Sequence, residues 1–563
     1  MLETVGIEVD AALLAAWRER VVRVRAALGW PAAEPVARRH RDGASLALTA
    51  PLDQLFSATE VDEWALLAAL VALHRPFEAV PHAPGHPAAW DDDAALRTLA
   101  AHARAERHPA LLALVEAALA RGLTVLVDDD ALSLGVGRGA RSWPLARLPA
   151  PGEVDWTVLH EAPIALVTGS NGKTTTTRLL AAFARATGAR VASSSTDGVV
   201  VDGVVLAEGD YSGPAGARVA LRAPGVDFAI LETARGGILR RGIAVQHADV
   251  AVVTNVSDDH FGEYGVHDLD DLAAVKLAVA RALGPRGVLV LNADDARLAR
   301  HAAAHAVRKA WFAFDADAPA LREARARGES TCGVRDGRLL LQHDGNAHDL
   351  GAIIDLPLTW RGAARYNIAN CAAAALAASV LGIPAATLRA VLARFGAARG
   401  DNPGRLQAWS LPGVEVFVDY AHNPDGLRGL LEVAGASRRG RLGLVLGQAG
   451  NREDGEIREL AAVAAAFAPE CIVLKDIGGM LRGRAPGEVP ALLRAALRQH
   501  GCDDARIVEC LDEYEAVRSA LAWARDGDVL VLPVHGNEAK RKVGALLDAL
   551  AACGWRAGSA LPP

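Results

Sequence analysis

The chain has 563 residues, of which 51% are hydrophobic and 23% charged, and its formal net charge is −7. This composition is typical of a globular protein, the length predicts about three domains, and the negative charge gives no reason to expect a nucleic-acid partner. The six cysteines form no C-x-x-C pair, and we find neither a run of 18 apolar residues nor a signal peptide, so we expect a reduced cytoplasmic protein without structural zinc or a membrane segment.

The first 158 residues carry few functional signals, and their role stays open at this level. Helical periodicity predicts a helix over residues 11–28, and Ser57-Ala-Thr-Glu60 fits a capping box ahead of another helix. Three aspartates at 91–93 open a further helical stretch, where a charged helix N-terminus explains them better than a metal site does. The run Gly135-Val-Gly-Arg-Gly139 follows a predicted strand but precedes no helix, so it does not indicate a dinucleotide-binding loop.

A phosphate-binding loop is predicted between residues 164 and 188. Ile164–Thr168 is a short apolar run typical of a buried parallel strand, and Lys173 to Thr187 predicts a helix that Gly188 terminates. The first backbone N–H groups of such a helix point at an anion, and the helix dipole strengthens the attraction. The loop and helix start comprise Gly169, Ser170, Asn171, Gly172, Lys173, Thr174 and Thr175.

Two side chains of this loop have predicted roles in nucleotide binding. Lys173 is expected to reach the β- and γ-phosphates, and the Thr174 hydroxyl to bind Mg²⁺. The loop departs from the general G-x-x-x-x-G-K-[ST] pattern, because Val167 stands where that pattern has its first glycine. Its compact form, T-G-S-N-G-K-T-T, therefore has to be interpreted together with the residues that follow.

Polar residues follow successive predicted strands of the same region. These strands alternate with helices, as in a doubly wound α/β domain, whose ligands bind beyond the carboxyl ends of the strands. The strands are predicted near residues 191–195, 226–231, 249–254 and 288–291. The polar residues that follow them are Thr196 and Asp197, Glu232, Asn255 with Asp258, Asp259 and His260, and Asn292.

Further elements complete this central region. A hairpin is predicted around Asp202-Gly203, and a helix that opens at Asp268 carries Lys276. Residues 300–355 are mixed in character, and we expect them to be peripheral. A strongly apolar helix over 361–381 places Asn367 and Asn370 on one face.

A second α/β pattern begins after a boundary near Asp401-Asn-Pro-Gly404. Its strands are predicted near 414–419, 442–446, 471–474, 506–509 and 529–534, with a helix near 488–500. We therefore predict an α/β protein of three domains. They are a mixed N-terminal domain (1–158), a central P-loop-type doubly wound sheet (159–400) and a C-terminal Rossmann-like domain (401–563).

These motifs, in their order and spacing, resemble the Mur ligase superfamily over residues 159–540. The motifs are TGSNGKTT (168–175), Glu232, Asp259-His260, LNADD (291–295), Asn367 with Asn370, Gly404-Arg405 and DYAHNP (419–424). Within the superfamily, the sequence is most similar to the Mur-like half of cyanophycin synthetases. That similarity rests on GDYSGPAGAR (209–218), ETARGGILRRG (232–242), TNVSDDHFG (254–262), DNPGRLQ (401–407) and RGRAPGEV (482–489).

The resemblance implies an ATP- and Mg²⁺-dependent amide ligase that gives ADP and phosphate. In such ligases ATP converts a carboxylate into an acyl phosphate, which an amine then attacks, and the charged γ-phosphate requires cations and N–H donors. The catalytic residues that the resemblance implies are Lys173, Glu232, His260 and Lys276, with Thr174, Glu232 and His260 as metal ligands. Whether Lys276 is carbamylated or is an ordinary surface lysine stays open.

The resemblance also implies where nucleotide and substrates bind. Asn292 and Asn367 are expected near the base, and Arg405 and Asp419 approach the nucleotide from the C-terminal domain, so that domain closure completes the site. Candidate contacts to the amine substrate are His422, Asn423, Arg452 and Asp454, and candidate contacts to an acidic acceptor are Arg235, Arg240 and Arg241.

In cyanophycin-type ligases this half joins arginine to an aspartate side-chain carboxylate. Asp454 and Glu453 could bind a guanidinium, or they could be solvated loop charges, and Arg235 with its neighbours could equally be a plain basic loop. The expected partners are an amino acid and a carboxylate or peptide acceptor. Homo-oligomerisation and association with a cyanophycin-type synthetase both stay open.

Three departures from the resemblance bear on the substrates. Tyr366 stands where cell-wall ligases have histidine, and His535-Gly536-Asn537 replaces their lysine-glycine-histidine motif. The glycines at 135–139 look like the opening of an ATP-grasp module, but the roughly 25 residues before Ile164 cannot hold that domain. We therefore expect at most one of the two cyanophycin ligations.

Three alternatives remain at this stage. The chain could be a ligase of the cell-wall or poly-γ-glutamate type with an acidic amine substrate. It could also be a non-catalytic nucleotide-binding partner of a complete synthetase, with the first 158 residues as a docking surface. A P-loop switch or motor is the weakest alternative, because it would leave Glu232, Asn292 and DYAHNP without a purpose.

Overall fold

The computed structural model describes residues 1–40, 43–75, 91–257 and 264–562. The described residues of the N-terminal region form two small three-stranded antiparallel sheets, ordered β1-β3-β2 and β4-β5-β6. Their strands are β1 (Leu2–Val5), β2 (Val36–His40), β3 (Gly43–Ala47), β4 (Val125–Val127), β5 (Ala131–Leu134) and β6 (Arg141–Pro144). The helices are α1 (Ala11–Leu28), α2 (Leu55–Ala72), α3 (Asp92–Glu106) and α4 (Pro109–Leu119).

The start of α2 differs from the prediction. The helix begins at Leu55, so Ser57 and Glu60 lie inside it and do not form a capping box. The backbone N–H groups of Phe56 and Ser57 instead donate to the Glu106 carboxylate at 2.7 and 2.8 Å. A carboxylate from the end of α3 therefore caps α2, a long-range contact that local sequence cannot reveal.

Three other N-terminal predictions agree with the structure. The helix predicted over 11–28 is α1, with Asp10 as its N-cap. The side chain of Asp91 caps α3, and Asp92 and Asp93 occupy its first turn, so the aspartates mark a charged helix N-terminus. The last of the glycines at 135–139 lie in a short 3-10 turn (Gly137–Gly139), which leads into β6 and not into an α-helix. Among the described residues, no helix is both long and apolar enough to cross a membrane.

The described residues of the central region form an eleven-stranded mixed sheet, ordered β10-β9-β8-β11-β7-β12-β13-β14-β15-β16-β17. The strands are β7 (Ile164–Thr168), β8 (Val191–Ser195), β9 (Gly198–Val201), β10 (Val204–Glu208), β11 (Phe228–Glu232), β12 (Ala248–Val253), β13 (Leu283–Asn292), β14 (Arg308–Asp315), β15 (Thr331–Arg335), β16 (Arg338–His343) and β17 (Asn346–Ala352). The strands from β8 to β15 in this order are parallel, and the hairpins at both ends are antiparallel.

Helices cover both faces of this sheet, as predicted for a doubly wound fold. They are α5 (Lys173–Arg185), α6 (Pro214–Arg222), α7 (Arg235–Arg241), α8 (Leu269–Leu277), α9 (Ala296–Ala302), α10 (Pro319–Ala326), α11 (Arg365–Val380) and α12 (Ala385–Leu392). Helices α5, α11 and α12 pack into one hydrophobic core, and α6, α8 and α9 contribute to the core on the other face. The alanines of α11 let it lie close against the strands, where it is buried along most of its length.

Residues 300–355 extend the central sheet as β14 to β17, whereas the sequence predicts only a mixed segment there. The strand β14 pairs in parallel with β13 from Val288↔Arg308 onward. The predicted hairpin at Asp202-Gly203 is present as β9 and β10, with left-handed backbone at both turn residues.

The C-terminal region forms a six-stranded sheet, ordered β18-β19-β23-β20-β21-β22, with helices on both faces. Its strands are β18 (Gln407–Leu411), β19 (Val414–Asp419), β20 (Leu442–Leu446), β21 (Cys471–Leu474), β22 (Ile507–Glu509) and β23 (Asp528–Pro533). Its helices are α13 (Pro424–Ser437), α14 (Asp454–Ala466), α15 (Glu488–Gln499), α16 (Glu513–Trp523) and α17 (Asn537–Ala552). The edge strand β18, which is antiparallel to β19, is not predicted from the sequence. The domain boundaries at 158 and 400 stay a prediction.

Candidate active site

The predicted phosphate loop lies at the topological switch point of the central sheet. Strand β7 pairs with β11 on one side and with β12 on the other, and all three are parallel. Their carboxyl ends therefore bring Glu232, the residues after β12 and the loop at 169–172 to one edge. The Asn171 N–H donates to Asn255 Oδ1 at 2.9 Å, and the Ser170 hydroxyl donates to the Ser257 carbonyl at 2.9 Å.

Two glycines give this loop its shape. Gly169 has φ +148°, and a Cβ at this position would lie 1.8 Å from Thr254 Oγ1. Gly172 has φ +84°, and a Cβ there would lie 2.1 Å from Asn370 Oδ1. A side chain at either position would therefore be strained and would collide with a neighbour. The second contact also shows that α11 packs directly against the loop.

Lys173 folds back onto the loop that it follows. Its Nζ donates to the carbonyls of Gly169 and Ser170, both at 3.0 Å. An ammonium group binds a phosphate more strongly than it binds carbonyl oxygens. Lys173 therefore lies beside the expected anion position with contacts that a phosphate can replace.

Glu232, at the end of β11, is the buried acid of the site. Its side chain is 1% exposed, and Oε2 accepts a hydrogen bond from Thr174 Oγ1 at 2.9 Å. The other oxygen, Oε1, is buried and has no hydrogen-bond partner among the described residues. Burial raises the pKa of Glu232, although Lys173 and Arg405 act in the opposite direction.

This arrangement fits a Mg²⁺ ion. A buried carboxylate oxygen without a partner, next to a threonine hydroxyl, supplies the oxygen ligands that this hard cation prefers. Glu232 and Thr174 are therefore the described residues suited to hold the ion. The third predicted ligand, His260, lies outside the described residues.

A cleft of about 720 Å³ opens above the loop, and both the central and the C-terminal regions line it. The predicted site residues along it are Ser170, Asn171, Gly172, Lys173, Thr174, Thr175, Glu232, Asn292, Asn367, Arg405, Asp419 and His422. Twelve predicted residues from distant parts of the chain thus meet at one cavity. Its size is typical of a small-molecule site.

Polar groups from β13 and α11 line the cleft beside the loop. Asn292 donates to the Thr254 carbonyl at 3.0 Å, and Asn370 donates to Asn367 Oδ1 at 3.0 Å. Asn367 in turn donates to the Leu358 carbonyl at 2.9 Å. The Tyr366 hydroxyl is buried without a hydrogen-bond partner in the described part of the chain, and burial raises its pKa well above the usual range.

The C-terminal region contributes a cation and a carboxylate. Arg405 Nη2 donates to Thr174 Oγ1 at 3.2 Å and to Thr196 Oγ1 at 3.3 Å. Asp419, at the end of β19, accepts the Leu406 N–H at 2.6 Å. Burial raises the pKa of Asp419, and the nearby Arg405 partly offsets this effect.

Asn423 joins the two regions directly. Its Nδ2 donates to Asn171 Oδ1 at 3.0 Å, and its Oδ1 accepts the Gly426 N–H at the start of α13. It therefore acts as a helix cap and as a bridge to the phosphate loop. It is buried and does not line the cleft.

Several predicted residues are not brought to the cleft. Asp454 forms ion pairs with Arg484 at 2.8 Å and Arg458 at 3.1 Å, and Glu453 is the N-cap of α14. Arg452 is buried and pairs with Glu456 at 3.2 Å. The remaining predicted residues that do not line the cleft are Gly169, Arg235, Arg240, Arg241 and Lys276.

Lys276 is not a surface lysine, because its side chain is only 1% exposed within α8. The alternative of an ordinary exposed lysine is therefore wrong. Its chemical modification stays a prediction.

The sequence does not predict every residue that lines the cleft. Arg297 and Arg300, from α9, line it, as does Asp425 at the start of α13. Behind its wall, Arg178 of α5 and Lys540 of α17 pair with Asp197 at 2.8 and 3.2 Å. Helical spacing gives no hint of these contacts, because their partners are up to 343 positions away.

Comparison with known proteins places this geometry in a family. The Mur ligase middle domain matches residues 167–378, and the domain described as Mur ligase, glutamate ligase domain matches residues 404–533. The chain belongs to the Mur ligase family. Its Mur ligase domains carry the phosphate loop, Glu232 and Asn367 in the first match and Arg405 and the DYAHNP loop in the second.

Among curated relatives, this member of the Mur ligase family is similar to cyanophycin synthetases. It is 38% identical to that of Trichormus variabilis over 377 residues, which are 66% of this chain and 41% of the relative. It is 37% identical to that of Synechocystis over 378 residues, which are 67% of this chain and 43% of the relative. The chain thus spans about two-fifths of the length of the relatives it matches.

Solved structures share the fold. Escherichia coli FolC in complex with DHPP and ADP aligns with a TM-score of 0.50 and 22% identity, covering 69% of this chain and 89% of that one. Mycobacterium tuberculosis folylpolyglutamate synthase complexed with ADP gives 0.50 and 20%, covering 69% and 90%. The Mur ligase architecture of the central and C-terminal sheets therefore agrees with the predicted fold class.

Proposed function

We propose that this protein is an ATP-dependent carboxylate–amine ligase that forms an amide bond and releases ADP and phosphate. The observation that carries the proposal is the cleft between the central and C-terminal regions. It places a glycine phosphate loop, Lys173 and the buried Glu232 opposite Arg405. Membership of the Mur ligase family and the similarity to cyanophycin synthetases support the same activity.

The proposed roles of the cleft residues follow from their charge. The loop N–H groups and Lys173 bind the phosphates of ATP, and Arg405 neutralises charge from the opposite wall. Glu232 and Thr174 would hold Mg²⁺, which when bound neutralises phosphate charge and polarises the transferred phosphoryl group. Asn292 and Asn367 line the part of the cleft assigned to the base.

The reaction requires a better leaving group than a carboxylate oxygen. Attack of the acceptor carboxylate on the γ-phosphorus breaks the bond to ADP and forms an acyl phosphate. The amine then attacks the acyl carbon, and the bond between that carbon and the phosphate oxygen breaks. Phosphate leaves with the electron pair of that bond, and the amine loses a proton. The chain's task is to hold the carboxylate in line with the γ-phosphate and to exclude water, because water would hydrolyse the acyl phosphate.

For the substrates, we propose arginine as the amine and an aspartyl carboxylate as the acceptor. The proposal follows from the similarity to cyanophycin synthetases over the two ligase domains. Asp454 is a weaker candidate for binding the guanidinium than the sequence indicates, because Arg484 and Arg458 already occupy its carboxylate. His422, which lines the cleft, is the better placed of the predicted amine contacts.

We also propose that Lys276 is carbamylated. The side chain lies buried within α8, and the resemblance to the Mur ligases implies that carbamylation replaces its cation by a carboxylate-like group that could order a metal ion. Intact-mass measurement under native conditions, with and without bicarbonate, tests this. With bicarbonate, the wild type is expected to gain the mass of a carbamate group and the Lys276→Arg variant is not. No gain in the wild type, or the same gain in both proteins, would contradict the proposal.

The test of the proposed function is ADP release by the purified chain with Mg-ATP. Aspartyl peptides and other acidic acceptors are combined with a panel of amino acids that includes arginine, lysine and glutamate. ADP release that needs one acceptor and one amine establishes the ligase and names both substrates. Tight ATP binding without release for any pair would favour a non-catalytic nucleotide-binding partner, and glutamate as the amine would favour the cell-wall or poly-γ-glutamate type.

A further inference from the structure

Three cationic side chains from separate parts of the chain surround one carboxylate beside the phosphate loop. We call this set the Asp197 cluster: Arg178, Asp197, Arg405 and Lys540. Asp197 follows β8, Arg178 belongs to α5, Arg405 precedes β18 and Lys540 belongs to α17. The carboxylate is 2.8 Å from Arg178 Nη2, 3.2 Å from Lys540 Nζ and 3.8 Å from Arg405 Nη2.

The cluster is connected to the proposed phosphate site through Arg405. The same Nη2 that faces Asp197 donates to Thr174 Oγ1 at 3.2 Å, and Thr174 donates to Glu232. A chain of polar contacts therefore runs from Asp197 to the group proposed to hold the metal. Asp197 itself does not line the cleft, so it acts on the site through Arg405.

The cluster also joins the C-terminal region to the central one. Lys540 Nζ lies 5.0 Å and Arg405 Cζ 4.6 Å from the centre of the Tyr420 ring, which lines the cleft. On the central side, Arg178 donates to Asn402 Oδ1 at 3.1 Å and to the Pro403 carbonyl at 2.7 Å, just before Arg405. These contacts fix both the segment before β18 and helix α17 against α5.

The charges of the cluster do not balance. Three cations surround one carboxylate, and their side chains are only 15–18% exposed, compared with 25% for Asp197. Without Asp197 these partly desolvated cations would repel one another. The three cations together hold the pKa of Asp197 below its usual range against the effect of burial, so it stays charged. The surplus positive charge lies next to the place where ATP would bring its phosphates.

We propose that Asp197 is a positioning residue, which holds Arg405 beside Thr174 and ties α17 to the central region through Lys540. The phosphate site is then complete only when the two regions are together. This inference rests on the proposed ligase function, and it assigns to Lys540, in the last helix, a part in aligning the phosphates.

The kinetic test compares four variants. In Asp197→Asn and Lys540→Met, kcat for ADP release falls by about tenfold or more, because Arg405 is no longer held in place. The KM for ATP stays within about twofold, because the loop, Lys173 and Asn367 are unchanged. Lys540→Arg restores most of kcat, since it keeps the charge. Lys542→Met is the matched control, because Lys542 is an exposed lysine of the same helix that pairs with Glu538.

A second readout does not depend on ligation. Small-angle scattering with Mg²⁺ and a non-hydrolysable ATP analogue measures how closely the regions approach. The radius of gyration is expected to be larger for D197N and K540M than for the wild type, K540R and K542M. If the wild type releases no ADP with any pair, the proposed function fails while scattering still tests the cluster. The proposal would be overturned if D197N and K540M both had the radius of gyration and the kcat of the wild type. It would also be overturned if K540M and K542M lost kcat equally.

Discussion

Gly172 lies so close to Asn370 that a Cβ on the glycine would stand 2.1 Å from the Asn370 amide oxygen. The contact joins the phosphate loop to α11, which packs on the same face of the central sheet as α5. The loop is therefore shaped from two sides, by its own left-handed backbone and by a helix about 200 residues later in the chain. This relationship makes the loop's geometry testable.

Gly172→Ala should abolish ATP binding, which calorimetry can measure. The variant combines a strained φ with a steric collision, so either the loop or Asn370 must move. Gly188→Ala is the matched control, because Gly188 has a similar φ of +86° but open space around its Cβ position. It should cost about 1 kcal/mol of stability and leave ATP binding intact. Equal ATP affinities in the two variants would show that the collision does not matter.

Glu232→Gln should lower kcat for ADP release at least about 100-fold, because the amide is neutral and no longer neutralises a bound cation. The amide keeps an oxygen for the hydrogen bond from Thr174, which separates the loss of charge from the loss of structure. Nucleotide affinity measured in EDTA should match the wild type. Wild-type kcat in this variant would remove Glu232 from the proposed metal site.

The C-terminal region contains a buried ion pair that should dominate its stability. Lys475 Nζ lies 2.5 Å from Glu513 Oε1, and Glu513 also accepts the backbone N–H groups of His535 and Gly536. Lys475→Met leaves that carboxylate buried without its cation and should lower the free energy of unfolding by about 3–5 kcal/mol. The double variant Lys475→Met/Glu513→Gln should recover part of the loss in urea unfolding. A double variant less stable than K475M would contradict this explanation.

The same pair gives the stability a pH dependence. Burial alone would raise the pKa of Glu513, but Lys475 and His535 lower it far below its ordinary value of 4.5. The stabilisation from this ion pair is therefore fully present above the pKa that Glu513 has in the unfolded state, and it is lost as the pH falls below that pKa. In E513Q, the decrease in unfolding free energy between pH 5 and pH 3 should be smaller than in the wild type.

Asp62, in the N-terminal region, should make the free energy of unfolding depend on pH in the opposite direction. Burial raises its pKa from 3.8 to about 6, while a hydrogen bond from Trp17 Nε1 at 2.8 Å partly offsets this. A raised carboxyl pKa means that stability is lost as the pH rises from about 4 to 6. Asp62→Asn keeps an acceptor for Trp17 and should raise the unfolding free energy at pH 8 by about 2 kcal/mol. The exposed Asp93→Asn is the control, and equal changes in both would contradict the effect of burial.

Much of the site could be predicted because its residues stand at strand ends. Glu232 and Asn292 end parallel strands of one sheet, and the loop at 169–172 follows another, so topology alone brings them together. Arg405, Asp419 and Asn367 are brought to the same cleft by the packing of two sheets and α11, which the family resemblance implies and periodicity does not.

The remaining contacts depend on long-range packing. Lys540 is one of several basic residues on a helix, and nothing in local sequence distinguishes it from Lys542 until Asp197 is placed beside it. Similarly, Ser57-Ala-Thr-Glu60 fits a capping box by pattern, but Glu106 caps α2 two residues earlier. Asp454 has the right chemistry for a guanidinium, yet Arg484 from a distant loop already binds it.

The fate of the acceptor's oxygen tests the central claim most directly. An acceptor labelled with ¹⁸O in its carboxylate is incubated with Mg-ATP, the chain and the amine, and the released phosphate is analysed by mass spectrometry. Activation as an acyl phosphate predicts that each phosphate released with an amide product carries one oxygen from the acceptor, and that ADP forms in equal amount. Unlabelled phosphate, or AMP with pyrophosphate, would contradict the account.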